Sequence, residues 1–347
     1  MAGGDDDPPD EFGLIAELFA PLAAGYPGAL GLTDDAAFIA AAPGFDTVAT
    51  MDAMVAGVHF LPDDPPDLIA RKLVRVNLSD LAAKGAVPAV VMLAAAFPCG
   101  TTRSWLRAFA HGLRRDLDHY GIALIGGDTV STPGPLTLTL TALGQVATGR
   151  GLLRSGARPG HDIWVSGSIG DAALGLKAIR GELPGLADGH LAALADRYRL
   201  PCPRTGLGPR LIGLALSGMD ISDGLVQDLG HICRASGVAA EVDAAVVPLS
   251  AAAAAAVKDD QSLLALVLTG GDDYELLFSA PPEAADAILI LAKELGVPAT
   301  RIGRVIDGGG ADAVTVRGGD GQVLAIEREG WRHFRGPDDK GAGGWSD

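Results

Sequence analysis

The acidic residues limit this chain's folds most, because they recur at the ends of short apolar runs instead of along polar faces. Asp34 and Asp35 precede AAFI, and Asp52 ends TVATMD. Asp80 lies in VNLSDLAAKGA and Asp128 closes GGD. Asp220 and Asp223 frame MDISDG, and Asp272 and Asp273 follow a second Gly-Gly. A single Asp after Gly serves as a turn former or helix cap. Capping does not explain why so many separate strand ends choose Asp. Hard divalent cations such as Mg2+ want oxygen ligands in this setting, one or two carboxylates each plus waters and substrate phosphates. Several such acids imply several ions. The runs DDD at 5–7 and DD at 259–260 read as solvated charge.

Around these acids, strand and helix patterns alternate. Leu14, Ile15, Leu18, Phe19 and Leu22 recur at helical spacing, while Ala36–Ile39 and Thr47–Met51 read as short strands. Residues 67–84 suit a helix ending near Gly85, followed by a buried strand Val87–Phe97. Trp105, Phe109 and Leu113 share a helical face, and Ile122–Ile125 is a short strand stopping at Gly126-Gly127-Asp128. Leu136–Val146 alternates apolar and polar residues, so its apolar face needs a partner. The Gly/Arg-rich stretch 148–160 interrupts the pattern and marks a junction. Beyond it come a strand Asp162–Ser166, a helix Asp171–Ile179, a strand end Met219–Ile221 and a helix Leu225–Ala235. The alanine tract Ala251–Ala256 reads as helix, then Tyr274–Ala280 as strand, Glu283–Leu295 as helix, and Arg301–Val305 and Ala313–Val316 as final strands. This order predicts an α+β architecture with antiparallel-rich sheets flanked by helices. The length of 347 residues suggests two domains, 12–148 and 149–335, between unstructured tails 1–11 and 336–347.

Composition removes several function classes. The net charge of −16 argues against a nucleic-acid binder, although an acidic chain handles phosphates when metal ions carry the positive charge. The three cysteines are widely spaced, without a zinc or disulfide pattern, which fits a reducing cytoplasm. The acidic start MAGGDDDPPDE is unlike a secretory signal, and the apolar run Ala86–Phe97 is too short to span a bilayer. There is no P-loop, kinase catalytic loop, HExxH or GxSxG. His59, seven residues after Asp52, is either a structural strand histidine or a site residue. Arg154 and Arg158 beside glycines are either a phosphate clamp or surface charge.

Taken in order, TDDAAF, TMDAMVAGVHF, VNLSDLAAKGAVP, GGDT, LLRSGARPG, MDISDGLVQDLGHI, GGDDYELLF and GWRHF resemble the thiamine-monophosphate kinases. The resemblance runs from about residue 12 to 335 and places the chain in the aminoimidazole ribonucleotide synthetase-like superfamily. It implies two α+β domains, with N-domain strands of two subunits forming a barrel at a homodimer interface. It implies magnesium ligands at Asp35, Thr50, Asp52, Asp80, Asp128, Asp220 and Asp223, and ATP contacts at Gly127, Asp128, Arg154 and Ser222. Substrate contacts fall on His59, Asp272 and Trp331. Met51 stands where the family usually has Ser or Thr, and Asp272 replaces its usual Glu.

The implied reaction is ATP plus thiamine monophosphate giving ADP and thiamine diphosphate. The acceptor is a phosphate oxygen already ionised at pH 7, so no general base is required, and none stands out in the sequence. Bringing two anionic phosphates together is the difficulty, and magnesium ions offset it. Another ATP-dependent synthetase of the superfamily, or a catalytically silent metal- or nucleotide-binding protein, are the alternatives.

Overall fold

A computed structural model describes residues 11–34, 36–40, 42–309, 313–326 and 330. A short helix α1 (Glu11–Leu14) continues as π and 3-10 turns, because Pro21 and Pro27 prevent one regular helix from carrying the predicted apolar stripe. Four strands, β1 (Phe45–Val55), β2 (Val87–Pro98), β3 (Ala123–Thr132) and β4 (Thr137–Ala147), form the first sheet in the order β1-β4-β2-β3. Helices α2 (Pro66–Ala83) and α3 (Arg103–Tyr120) cover one side of it. Thr102 caps α3 by accepting from the Trp105 amide at 3.2 Å, and Gly121 ends it in the left-handed region.

Four expectations change here. Residues 36–39 form no strand; the Phe38 amide donates to the Gly28 carbonyl. β3 does not stop before GGD but runs through it, because it pairs in parallel with β2 as far as Thr132. β2 is not buried throughout: on the face away from α2 only Val90 is covered, by the N-terminal turns, while Val87 and Met92 are exposed. The apolar face of β4, with Leu138, Leu140 and Ala142, is already covered by α2 in the same chain, so it calls for no partner. The uncovered side of the sheet carries the threonines of β4 together with Met51, 65% exposed, and Val130, 50% exposed. Among the described residues of this chain the sheet is open, with β1 and β3 at its edges, and no barrel closes.

The second sheet is built from β5 (Asp162–Ser166), β6 (Ser217–Asp220), β7 (Ala239–Asp243), β8 (Leu276–Ala280), β9 (Ala299–Ile306) and β10 (Val314–Arg317), in the order β10-β7-β9-β5-β8-β6. All its pairings are antiparallel except β10 with β7. The helices α4 (Asp171–Ile179), α5 (Asp188–Arg199), α6 (Leu225–Ser236), α7 (Ala251–Asp259) and α8 (Leu263–Thr269) belong with its larger core. A smaller core combines α9 (Ala285–Leu295) with Ala82 and Ala83 at the end of α2. Helix α2 therefore packs on both sheets, and it carries buried polar groups across the boundary. Arg75 donates to the Pro201 carbonyl at 2.9 Å and Lys84 to the Gly218 carbonyl at 3.1 Å. No helix among the described residues is long and apolar enough to cross a membrane.

Candidate active site

A cavity of about 670 Å3 opens along α2 where the two sheets approach. Its walls bring together Asp52 from β1, His59 from the following loop, Ser222 and Asp223 from the β6–α6 loop, and Asp272 from the α8–β8 loop. Five expected site residues, scattered over 220 positions of sequence, thus share one space. His59 accepts the Val55 amide on Nδ1 at 3.0 Å, which places its neutral-form proton on Nε2.

The two loops from the second domain interlock. The Asp272 amide donates to the Ser222 carbonyl and the Tyr274 amide to the Ile221 carbonyl, each at 2.8 Å. Gly271 is required at this crossing: its φ is +71°, and a Cβ there would stand 2.3 Å from the Ser222 carbonyl oxygen. Within GGDDYE each acid has a different task. Asp273 accepts the Gly170 amide at 2.7 Å at the start of α4. Glu275, fully buried, is held by Arg204 and by Arg197 at 3.0 Å and accepts from Ser166 at 2.6 Å. Only Asp272 reaches the cavity, where it pairs with Lys72 at 2.6 Å. On the facing loop, Asp228 accepts the amides of Ser222, Asp223 and Gly224 at 3.0, 3.0 and 3.1 Å, shaping the turn that presents Ser222 and Asp223.

Beside the cavity lies a cluster of carboxylates. Thr50 donates its hydroxyl to Asp80 at 2.5 Å, and the Asp52 amide donates to Asn77 at 3.1 Å. Burial, and then the charge of Asp80, push the Asp52 carboxyl up to about 7. The same two causes raise Asp220, which is 6% exposed. Among the described residues no three His, Cys, Asp or Glu side chains converge on a point that would hold an ion by themselves. The donors are all hard oxygens under mutual repulsion, which fits Mg2+ completing its shell with water and phosphate oxygens. Lys84, one turn beyond Asp80, borders this cluster and feels both acids and Arg154.

The remaining expected residues lie elsewhere. Gly127 and Asp128 line a second, smaller pocket of about 140 Å3 with Asp34 and the N-terminal turns. Register explains the separation from Asp52. Asp52 is level with Leu140, Leu93 and Gly127 on the covered face, whereas Asp128 pairs with Ala94 and so points to the open face. The two strands are three spacings apart, about 14 Å along the sheet. Arg154 is exposed and acts on Lys84 and His231 through its charge. Asp35 and Trp331 lie outside the described residues, although Gly330 packs closely against the Asp223 carbonyl.

The family model of the AIR synthase related protein N-terminal domain matches residues 33–146, and that of the C-terminal domain matches 158–315. The thiamine-monophosphate kinase of Caulobacter vibrioides is 44% identical over 329 residues, covering 94% of this chain and 91% of the relative. This chain belongs to the thiamine-monophosphate kinase family. The crystal structure of thiamine-monophosphate kinase from Stenotrophomonas maltophilia K279a superposes with a TM-score of 0.75 at 42% identity, covering 84% of this chain and 91% of that one. AaThiL complexed with AMPPCP and TMP superposes with a TM-score of 0.74 at 29% identity, covering 93% and 97%.

In this family member, sequence reasoning overlooked Lys72, Tyr198 and Asp228. The signal for Lys72 was present: positions 72, 76, 80 and 84 recur every four residues along the predicted helix, so Lys72, Val76, Asp80 and Lys84 form one stripe facing the cavity and the acids. Tyr198 had no comparable signal, because its partner Lys72 is brought to it by a tertiary contact, whereas Asp228 takes amides only four to six positions before it.

Proposed function

We propose that this chain transfers the terminal phosphoryl group of ATP directly to the phosphate of thiamine monophosphate, giving ADP and thiamine diphosphate. The observation that carries this reading is an interdomain cavity that collects Asp52, His59, Ser222, Asp223 and Asp272 beside Asp80 and the buried Asp220. The acceptor oxygen is ionised at neutral pH, so the chain need not supply a base. The task is electrostatic. Each pair of unit charges at 4 Å costs about 1 kcal/mol in water and about 4 kcal/mol at an effective dielectric of 20. Bound magnesium would supply the charge that offsets this repulsion. Thr50, Asp52, Asp80, Asp220 and Asp223, with Asp35 and Asp128, are the residues we assign to hold it. His59, Asp272 and Trp331 orient the acceptor, and Gly127, Asp128, Arg154 and Ser222 hold ATP. We place the domain boundary at 148/149 and the protein in the cytoplasm.

We further propose a homodimer. Support comes from the open sheet face with exposed Met51, Met92 and Val130, and from the two unpaired edges β1 and β3. Asp128 lies on that same face, so a second copy seated there would border it, and a barrel of two open sheets would form at that contact. The deciding experiment for function is ATP turnover with thiamine monophosphate against free thiamine and aminoimidazole precursors. ADP formation with thiamine monophosphate alone supports the reading. Turnover with an aminoimidazole precursor, or magnesium-dependent ATP binding without ADP formation, refutes it.

A further inference from the structure

Lys72 is 2% exposed at the centre of the cavity wall. Its ammonium has three donors, and three partners surround it. Asp272 stands at 2.6 Å, the His59 carbonyl at 3.0 Å and the face of Tyr198 at 4.0 Å from the ring centroid. These come from three separate walls: the α8–β8 loop, the β1–α2 loop and α5. With its donors directed at protein, Lys72 contributes charge and position to the cavity. Asp272, 31% exposed at its side chain, is held in the left-handed region at φ +65°. Its carboxylate is therefore no free counter-charge for a cationic ring.

Resting on the acceptor assignment above, we propose that the Lys72–Asp272 pair is a specificity device that holds the acceptor end of the cavity near zero net charge. An unpaired Asp272 would attract any cationic ring, with or without a phosphate. Paired, it withholds that attraction, and the phosphate becomes the feature by which a zwitterionic acceptor is told from its dephosphorylated form. Lys72 is a positioning residue in this scheme.

The test is titration calorimetry of thiamine monophosphate and free thiamine on wild type, Lys72→Met, Asp272→Asn and the double variant. Lys72→Met, with Asp272 uncovered, should shift the ratio of the two dissociation constants about tenfold toward thiamine, the order expected for one unit charge about 12 Å from the acceptor's phosphate at an effective dielectric near 20. Asp272→Asn should shift it about tenfold toward thiamine monophosphate, and the double variant should return it to the wild-type value. Single variants that move the ratio in the same direction, or leave it unchanged, overturn the proposal. If Lys72→Met fails to fold, Asp272→Asn and the charge-preserving Lys72→Arg decide: the first must shift the ratio and the second must keep it. Wild-type protein that binds no thiamine monophosphate overturns the underlying function as well. Binding with an unmoved ratio overturns only this inference.

Discussion

Replacing Asp52 by Asn should make the metal-free protein more stable while abolishing turnover. Burial and the neighbouring Asp80 raise the Asp52 carboxyl from 3.8 to about 7. A group whose pKa is raised on folding contributes stability that is complete below its unfolded value and is lost as pH rises through its folded value. Stability without metal should therefore decline between about pH 4 and 7, by at most about 1.4 kcal/mol per pH unit for this group. The full loss at pH 8 is about 4 kcal/mol. Asn removes the charge but still buries a polar amide, and Asp52 keeps some contact with solvent, so we expect about half of that, roughly 2 kcal/mol. That corresponds to a rise of roughly 4–8 °C in Tm for a domain of this size. Calorimetry in EDTA at pH 4 and pH 8 checks it. The proteins should melt together at pH 4 and separate at pH 8. Magnesium should then stabilise wild type more than the variant, since a ligand that binds only the folded state stabilises it by mass action. A variant that melts lower than wild type at pH 8, or a gap equal at both pH values, refutes the reasoning.

Three further outcomes are expected. Glu275→Gln leaves Arg197 and Arg204 without their buried partner and should cost about 3–5 kcal/mol, read as a Tm lower by roughly 10 °C; an unchanged Tm would show the cluster to be energetically neutral. Light scattering should find a dimer for wild type at micromolar concentration and a monomer for Met51→Arg or Val130→Arg, whose side chains occupy the open sheet face; a monomeric wild type would remove the dimer. Trp331→Ala should raise KM for thiamine monophosphate with little change in KM for ATP or in Tm, because an aromatic face attracts a flat cation by about 0.5–2 kcal/mol; equal effects on both substrates would mean that the residue only packs.

Local pattern carried much of the architecture. The helix predicted at 67–84 forms at Pro66–Ala83, and the alternation of Leu136–Val146 forms β4, because periodicity reports which residues share a face of their own element. It does not report what covers that face. Hence β4 was expected to seek a partner, when α2 of the same chain already buries it. The acids were legible one by one, but neither their grouping nor their place was: Asp52 and Asp128 lie inside β1 and β3 and Asp80 inside α2, where strand ends were expected for the first two. Asp52 and Asp128 look equivalent in sequence, yet a strand order of β1-β4-β2-β3 and the pleat send them to opposite edges and opposite faces. In GGDDYE, three acids of one type of chemistry were divided among the cavity, the start of α4 and a half-buried arginine pair by whichever groups the fold set against each. The pairing of Lys72 with Asp272 joins residues 200 positions apart. Composition and spacing determined that this chain sets acids within and beside its apolar elements; only the crossing of two domains over α2 decided which charges meet, because an ion pair depends on distance in space and the sequence records only distance along the chain.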